Sequence, residues 1–351
     1  MTDPLVSIVI DNYNYAEFVG EAIESALAQT YRHLEILVVD DGSTDDSASI
    51  IGRYADRVEV VLKQNGGQAS AINLGAARAR GEIVIFLDAD DVLLPHIVAA
   101  VADAYRAQPN LAKAEYMLAV VDAAGRRTGE LRPSEHLRPP SGDLRRYELA
   151  CPFDLVWMSM SGNAFSARAL AQVLPVPEDS YGRTGADWYM THMVALFGPV
   201  VFLDTIGAYY RVHGSNAFAA HQFELQGIRH AVQRMRITTE YLERKATEIG
   251  LLRQRGSIGV ISCAEVAMRM MSVRLEPGEH PIGGETRFSL IALGLVAVRR
   301  RIGVSPLFKL AMLSWMVAMT FAPREAALWL AQVMLAPQRR PNWVNRLLST
   351  I

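Results

Sequence analysis

Gly81-Glu-Ile-Val-Ile-Phe-Leu-Asp-Ala-Asp-Asp91 runs from a short apolar stretch directly into three carboxylates. Its apolar part, Glu82 to Leu87, predicts a buried strand, because short runs rich in β-branched side chains and bounded by turn formers are typical of sheet interiors. Two earlier stretches end in the same way, namely Leu5 to Ile10 before Asp11 and Glu35 to Val39 before Asp40 and Asp41.

Helical patterns separate these strands. Apolar residues recur at helical spacing from Ala16 to Gln29 and from Gln68 to Arg80, and a further strand is predicted from Val58 to Leu62. Near-continuous apolar strands that alternate with helices are typical of a parallel sheet covered on both faces. We therefore expect an α/β fold with a mostly parallel sheet, whose strand-end acids meet at the edge where such sheets bind ligands.

The composition of the 351-residue chain is that of a globular protein. Half of the residues are apolar and a fifth are charged, which excludes disordered and collagen-like classes. Cys151 and Cys263 are far apart in the sequence, so we expect neither a disulfide framework nor a cysteine zinc site. Met1-Thr-Asp-Pro4 lacks the basic start of a signal peptide, so we expect a cytoplasmic N-terminus.

Clustered carboxylates at one sheet edge repel each other unless a cation lies between them. Asp88 and Asp90, separated by one residue at a strand end, are suited to one Mg²⁺ or Mn²⁺ that keeps positions for diphosphate oxygens. For each acid alone, an ordinary turn or helix-cap role is the alternative. No GxGxxG follows the first strand and no GxxxxGK[ST] occurs, which argues against dinucleotide oxidoreductases and P-loop enzymes.

Four motifs in order resemble the GT-A fold glycosyltransferases of family 2. They are Val6-Ser-Ile-Val-Ile-Asp-Asn-Tyr-Asn14, Val38-Val-Asp-Asp-Gly-Ser-Thr-Asp45, Asn65-Gly-Gly-Gln68 and the Gly81 to Asp91 stretch. A fainter resemblance continues through Ser161-Gly-Asn163, Gly185-Ala-Asp-Trp188 and Tyr210-Arg-Val-His-Gly214. The resemblance implies a nucleotide-sugar-dependent transferase with a GT-A fold over residues 4 to about 216.

The resemblance also implies roles for individual residues. Where Asp11 stands the family often has Pro or Thr, and one carboxylate replaces the frequent Glu-Asp pair before Trp188. The implied positions are Asp11 and Tyr13 in the nucleotide pocket, Asp41 against the base, Asp88 between ribose and metal, Asp90 on the metal, Asp187 as general base and His213 at the metal or diphosphate.

Several of these residues have structural alternatives. Asp187 is also suited to cap a helix over 188–197, and His213 to a structural role. Asn163 is a candidate for the floor of the sugar pocket or for a plain turn. Arg211 is a candidate partner of the diphosphate or of Asp187, or a packing residue.

The expected chemistry is inverting transfer. A single displacement needs one carboxylate to take the acceptor's proton and one metal for the departing diphosphate. A retaining double displacement would need a second carboxylate as nucleophile, for which the sequence offers no distinct candidate.

The rear of the chain has a different character. Up to Glu224 the chain holds 17 Lys/Arg and 29 Asp/Glu, whereas the remainder holds 18 and 8. Helical patterns replace strand patterns, from Phe223 to Glu248 and from Gly256 to Val273. We predict a GT-A catalytic domain over 1–218, with a nucleotide-sugar half (1–115) and an acceptor half (116–218), and a helical region over 219–351.

Three apolar stretches near the C-terminus are flanked by arginines. Phe288 to Val298, Leu310 to Pro323 and Ala326 to Pro337 are each too short to span a bilayer. Arginine flanks and tryptophans are typical of segments that lie in a membrane interface. The sequence predicts peripheral contact through 288–340 with the cytoplasmic face of the inner membrane; a helical bundle or an oligomer interface is the alternative.

The sequence thus predicts an inverting, Mn²⁺- or Mg²⁺-dependent glycosyltransferase of cell-surface polysaccharide synthesis. Its donor would be a nucleotide diphosphate sugar, UDP-sugars being favoured, and its acceptor a glycan or lipid-linked hydroxyl. The alternatives are a nucleotidyltransferase and a non-catalytic scaffold of the same fold. Nucleic-acid binding is not expected, because the basic residues of the rear alternate with long apolar runs.

Overall fold

The computed structural model describes residues 3–134, 139–182, 184–214, 216, 225–252 and 259–335. The chain forms two compact units, one of residues 1–145 with 156–219 and the other of residues 146–155 with 220–351. The helices are α1 Val19–Leu27, α2 Ser47–Gly52, α3 Gln68–Arg78, α4 Ile97–Ala107, α5 Arg145–Ala150, α6 Ala167–Val173, α7 Glu178–Tyr181, α8 Ala186–Val194, α9 Leu225–Glu248, α10 Cys263–Leu275, α11 Arg287–Arg300, α12 Pro306–Phe321 and α13 Arg324–Leu335.

Nine strands among the described residues form one sheet in the first unit. They are β1 Val6–Asn12, β2 Leu34–Asp40, β3 Glu59–Leu62, β4 Ile83–Asp88, β5 Val92–Leu93, β6 Lys113–Asp122, β7 Arg127–Arg132, β8 Asn163–Ser166 and β9 Val200–Val212. Their order is β3-β2-β1-β4-β8-β6-β9-β5, and β7 pairs with β6. The sheet and its helices confirm the α/β class.

Parallel pairing is confined to part of this sheet. The four strands predicted from the sequence pair in parallel, as do β6 and β9. The pairs that involve β8, β5 and β7 are antiparallel. The complete sheet is therefore mixed, because the later strands add four antiparallel ladders and one parallel ladder.

Helices cover both faces of the parallel part. Ile8 and Ile10 of β1 share a buried core with Ala22 and Ile23 of α1. On the opposite face, a Cβ added to Gly75 of α3 would lie 2.4 Å from a methyl carbon of Val9. Because neighbouring strand residues point to opposite faces, α1 and α3 sandwich β1 between them.

The second unit is helical. A buried core unites α9 to α13 through residues such as Val232, Val266, Leu290, Met319 and Ala331. The helix predicted from Gly256 begins instead at Cys263, because the Ser262 hydroxyl accepts the Glu265 N–H and caps it; 253–258 lie outside the described residues.

The remaining helical predictions agree with the structure within a few residues. The predicted helix start at Phe223 and the predicted end at Pro337 both lie outside the described residues. No helix in the described part of the chain is long and apolar enough to cross a bilayer.

Candidate active site

The strand register brings the predicted acids together. In the parallel pairing of β1 with β4, Asp11 lies opposite Asp88, and Asn12 lies opposite Asp40 in the pairing with β2. The loop after β4 carries Asp90 and Asp91, both buried. The carboxylates that follow the central strands therefore occupy one edge of the sheet.

These carboxylates raise one another's pKa. Burial, and then the charge of Asp90, raise the pKa of Asp11 to about 7. Burial and the neighbouring acids also raise the pKa of Asp88 and of Asp91 well above the ordinary value. One buried oxygen of Asp11 and one of Asp91 accept no hydrogen bond. Buried carboxylates of this kind are stabilised in their charged form by a cation beside them.

Asp90 lies against two side chains from the end of β9. Its Oδ2 is 3.0 Å from His213 Nε2 and accepts a hydrogen bond from Asn216 Nδ2 at 3.1 Å. The His213 ring packs against Phe18 and against the edge of Tyr15, with centroids 4.8 and 5.5 Å apart. Aromatic packing thus fixes the imidazole beside the carboxylate.

The donor set suits a hard divalent cation. Among the described residues, no three His, Cys, Asp or Glu side chains already converge as a metal site. The unpartnered oxygens of Asp11 and Asp91 and the mutually raised pKa values nevertheless fit a cation, which carboxylate oxygens of this kind bind.

Asp187 joins the acidic cluster from another element. It lies in the first turn of α8, and its Oδ1 accepts the N–H of Trp188 at 2.7 Å. The residue that caps α8 is Gly185, in a left-handed conformation with φ 97°, so the alternative of Asp187 as the N-cap is wrong. Its negative charge contributes to the raised pKa of Asp11 and of Asp88.

Arg211 is engaged by the protein itself. Its backbone N–H donates to Asp91 Oδ1 and its Nε to the carbonyl oxygen of Asp90, each at 2.9 Å. Its Nη2 pairs with Glu21 at 2.5 Å. The buried guanidinium therefore holds the 88–91 loop, and a contact with diphosphate stays a prediction.

Asp41 fixes the loop before α3. Its Oδ1 accepts from Lys63 Nζ and the Gly66 N–H, and its Oδ2 accepts from the Gly67 N–H at 2.7 Å. Gly67 has φ 87°, a conformation that glycine adopts without strain. A contact between Asp41 and a base remains a prediction, whereas its support of this loop is observed.

Tyr13 and Asn163 differ in exposure. Tyr13 is exposed at the strand-end edge, as a residue that lines a pocket would be. Asn163 is fully buried, and its Nδ2 donates to the carbonyl oxygens of Met158 and Ser159. Asn163 therefore closes the turn that precedes β8, which is the plain-turn role given above as its alternative.

The site also contains residues that the sequence analysis did not select. Ser161 Oγ accepts the N–H of Asp88, and Gln68 Nε2 donates to Asp88 Oδ1 at 3.2 Å. Burial and the charges of Asp90 and Asp88 raise the pKa of the Tyr15 phenol. Gln68 and Ser161 stand within the quoted motifs, which could have pointed to them; Asn216 had no such signal.

Comparison with known proteins identifies the family. Residues 7–156 match the model of the family described as Glycosyl transferase family 2. Residues 7–156 are therefore a glycosyltransferase family 2 domain. An uncharacterized glycosyltransferase of Nostoc sp. is 34% identical over 215 residues, which cover 60% of this chain and 66% of that protein. The matched region thus spans just under two thirds of that relative's length.

Two solved structures share the fold of this chain. S. aureus TarS 1–349 in complex with UDP-GlcNAc has a TM-score of 0.52 and 16% identity, over 92% of this chain and 91% of that one. The mannosyltransferase PcManGT of Pyrobaculum calidifontis, in complex with GDP-Man and Mn²⁺, has a TM-score of 0.51 and 18% identity, over 99% and 85%. The GT-A fold is thereby confirmed.

Proposed function

We propose that this chain is an inverting, metal-dependent glycosyltransferase that moves a sugar from a nucleotide diphosphate sugar to a hydroxyl group. One observation carries the proposal: Asp187 on α8 lies within electrostatic reach of Asp11 and Asp88 at the sheet edge. A base and a site for a charged leaving group are thus close together, as a single displacement requires.

The acids of the sheet edge would hold the cation and the donor. Asp90, with His213 beside it, and Asp88 are the residues that we assign to Mn²⁺ or Mg²⁺. When bound, such an ion stabilises the charge that develops on the departing diphosphate. Arg211 and Ser161 keep the 88–91 loop in place through its main chain.

Asp187 would act as the general base. The N–H of Trp188 orients the carboxylate by binding Oδ1. The carboxylate takes the proton of the acceptor hydroxyl as that oxygen attacks the anomeric carbon, and the bond to the diphosphate breaks on the opposite side. One displacement inverts the configuration of the anomeric carbon.

The proposed donor is a UDP-sugar. TarS has been solved with UDP and with UDP-GlcNAc, whereas PcManGT has been solved with GDP-Man. We assign Asp11, near the end of β1, and Tyr13, directly after it, to the nucleotide pocket because they lie at the same edge as Asp88. We assign Asp41 to the base because its loop adjoins that edge.

The proposed acceptor is a hydroxyl of a glycan or of a lipid-linked sugar in cell-surface polysaccharide synthesis. We further propose that the enzyme works at the cytoplasmic face of the inner membrane, through peripheral contact of residues 288–340. The exposed apolar residues of α11 and α12 support this location.

The test is the thermal unfolding of the full chain with UDP, GDP, TDP or CDP, each with and without Mn²⁺. A ligand at about 100 times its Kd stabilises the chain that binds it by about 2.7 kcal/mol. We expect a shift with UDP that requires Mn²⁺ and is lost in Asp90→Asn. Asp56→Asn, at an exposed acid of the same unit, is the control.

Two outcomes would contradict the proposal. If no nucleotide raises the unfolding temperature with or without Mn²⁺, the non-catalytic alternative gains support. If a nucleotide sugar and acceptor release no nucleoside diphosphate, whereas a nucleoside triphosphate and a sugar phosphate release pyrophosphate, the chain is a nucleotidyltransferase.

A further inference from the structure

Helix α12 carries an exposed apolar stripe. Leu307, Leu310, Val317 and Phe321 are between 48% and 65% exposed. With Ser314, which is also exposed, they follow the three- and four-residue spacing that places side chains on one helical face. The residues between them, such as Met316 and Met319, are buried in the core of the second unit.

Helix α11 continues this surface. Phe288 and Leu295 are 64% and 45% exposed, and Ala292 between them is exposed too. The rings of Phe288 and Phe321 lie 6.1 Å apart, so the stripes of the two helices adjoin at that end. We call these residues the hairpin face: Phe288, Ala292, Leu295, Leu307, Leu310, Val317 and Phe321.

The hairpin face belongs to a well-packed pair of helices. A Cβ added to Gly294 of α11 would lie 2.5 Å from the sulfur of Met316, so α11 and α12 approach each other closely. Leu290 and Ala297 of α11 are buried on the inner side. The pair therefore has an apolar inner side, which forms the core, and a second apolar side that is exposed.

Positive charge surrounds the hairpin face. Residues 286–335 contain six Lys or Arg and one acid, Glu325. Arg299 and Arg324 are exposed. Arg287 and Lys309 donate to the carbonyl oxygens of Thr320 and Arg299, so these contacts leave their charge uncompensated.

We propose that the hairpin face docks on an anionic lipid bilayer. Exposed Phe and Leu on one side of a helix pair, bordered by cations, match the acyl boundary and the negative headgroups of such a surface. A second copy of this chain is less well matched, because it would bring another set of exposed cations, such as Arg299 and Arg324, to the contact.

The geometry favours lying on the membrane over crossing it. At 1.5 Å per residue, the 16 residues of α12 extend about 24 Å, less than the roughly 30 Å of a hydrocarbon core. This proposal deepens the proposed function by naming the surface that would contact the membrane of a lipid-linked acceptor. Only the identity of the acceptor rests on the proposed function.

The test is co-sedimentation of the full chain with vesicles. One set contains equal parts of phosphatidylglycerol and phosphatidylcholine, and the other contains phosphatidylcholine only. We expect at least tenfold tighter binding to the anionic set, and at least a tenfold loss in the Leu310→Gln/Phe321→Gln double variant. Both side chains are more than 60% exposed, so the fold should tolerate the change.

Matched variants sharpen the test. Ile249→Gln/Leu251→Gln replaces two exposed apolar residues outside the hairpin face and should bind like the wild type. Arg299→Gln/Lys309→Gln should weaken binding to anionic vesicles, whereas Arg236→Gln, at an exposed arginine of α9, should not. Equal binding by the wild type and Leu310→Gln/Phe321→Gln, or no binding to anionic vesicles, overturns the proposal.

Light scattering tests whether a second copy of the chain, and not a bilayer, covers the hairpin face. A dimer that dissociates in Leu310→Gln/Phe321→Gln, without vesicle binding by either protein, would assign the face to a second copy and overturn the lipid proposal. Asp90→Asn should bind vesicles normally. Failure of nucleotide binding and failure of membrane binding are therefore distinguishable.

Discussion

Asp187 is the residue on which the proposed chemistry depends most directly. Its carboxylate lies in the first turn of α8, where the partial positive charge of the helix start favours an anion. The contact with the Trp188 N–H fixes its orientation. An amide at this position keeps the shape and an acceptor oxygen but cannot take a proton.

We therefore expect Asp187→Asn to lower the transfer rate by between about 100- and 10,000-fold, the usual contribution of a general base. Nucleotide binding should change little, because the variant leaves the residues assigned to the donor in place. Rates from nucleoside diphosphate release and Kd values from titration calorimetry check the two parts. Transfer by Asp187→Asn at the wild-type rate would remove Asp187 as the base.

Asp90→Asn tests nucleotide binding, whereas Asp187→Asn tests the transfer step. The Asp90 carboxylate lies 3.0 Å from His213 Nε2, and the loss of its charge removes the ligand that we assign to the cation. We expect Mn²⁺-dependent nucleotide binding to weaken by at least tenfold, measured by titration with and without Mn²⁺. Unchanged Mn²⁺ dependence in this variant, with Asp56→Asn as reference, would place the metal elsewhere.

The sequence was informative for residues that follow a strand and uninformative for partners far along the chain. Asp11 and Asp88 could be placed together because parallel strands end at a common edge. The pairing of Arg211 with Glu21, 190 residues away, depends on how the late strand β9 returns beside β6. No local pattern specifies that contact.

Helices and strands were likewise predictable where a local sequence pattern sets them, and unpredictable where distant pairing does. The first strands were predictable within two residues, because each is a continuous apolar run between turn formers. Strand β8 has four residues and inserts antiparallel between β4 and β6, a placement set by tertiary pairing alone. The mixed character of the sheet could not be inferred from alternating strands and helices.

The close approach of α3 to β1 gives a prediction at the scale of elements. In Gly75→Ala, the added methyl would meet Val9 at 2.4 Å, so α3 or β1 must shift. Overpacking of this kind destabilises by about 1 to 3 kcal/mol. We expect a lower unfolding temperature in circular dichroism, and weaker nucleotide binding, since α3 also carries Gln68.

Gly52→Ala is the matched control, because a Cβ added there meets nothing within 4 Å. It stands at the end of helix α2 and is exposed, so alanine should be neutral or stabilise by up to about 1 kcal/mol. If Gly75→Ala were as stable as Gly52→Ala, the packing of α3 on β1 would not require glycine.

At the scale of the whole molecule, the two charge-biased parts of the chain each bury acids. In the first unit the buried acids include those of the candidate site, such as Asp88 and Asp91. In the second unit, Glu265 on α10 is buried, and one of its oxygens accepts from Arg269 at 3.0 Å while the other accepts no hydrogen bond. Burial outweighs the charge of Arg269 and raises the pKa of Glu265 to about 7.

This pKa predicts how stability depends on pH. The folded chain binds a proton at Glu265 more tightly than the unfolded chain, so this contribution is complete below pH 4.5 and is lost as the pH rises to about 7. Glu265→Gln removes this loss of stability at higher pH, because glutamine does not ionise. The quantity to compare is the unfolding free energy of Glu265→Gln minus that of the wild type. At roughly 1.4 kcal/mol per pKa unit, we expect this difference to be about 3 kcal/mol more positive at pH 8 than at pH 4.5.

Urea unfolding of the full chain between pH 4.5 and 8 measures this difference. Arg269 keeps its pairing with Glu285 in the variant, so the substitution does not leave the guanidinium without a carboxylate. Glu240→Gln, at an exposed glutamate of α9 paired with Arg236, should show no such pH dependence. A difference between wild type and Glu265→Gln that stays constant over this range would mean that Glu265 is ionised in the folded chain throughout, with Arg269 outweighing burial.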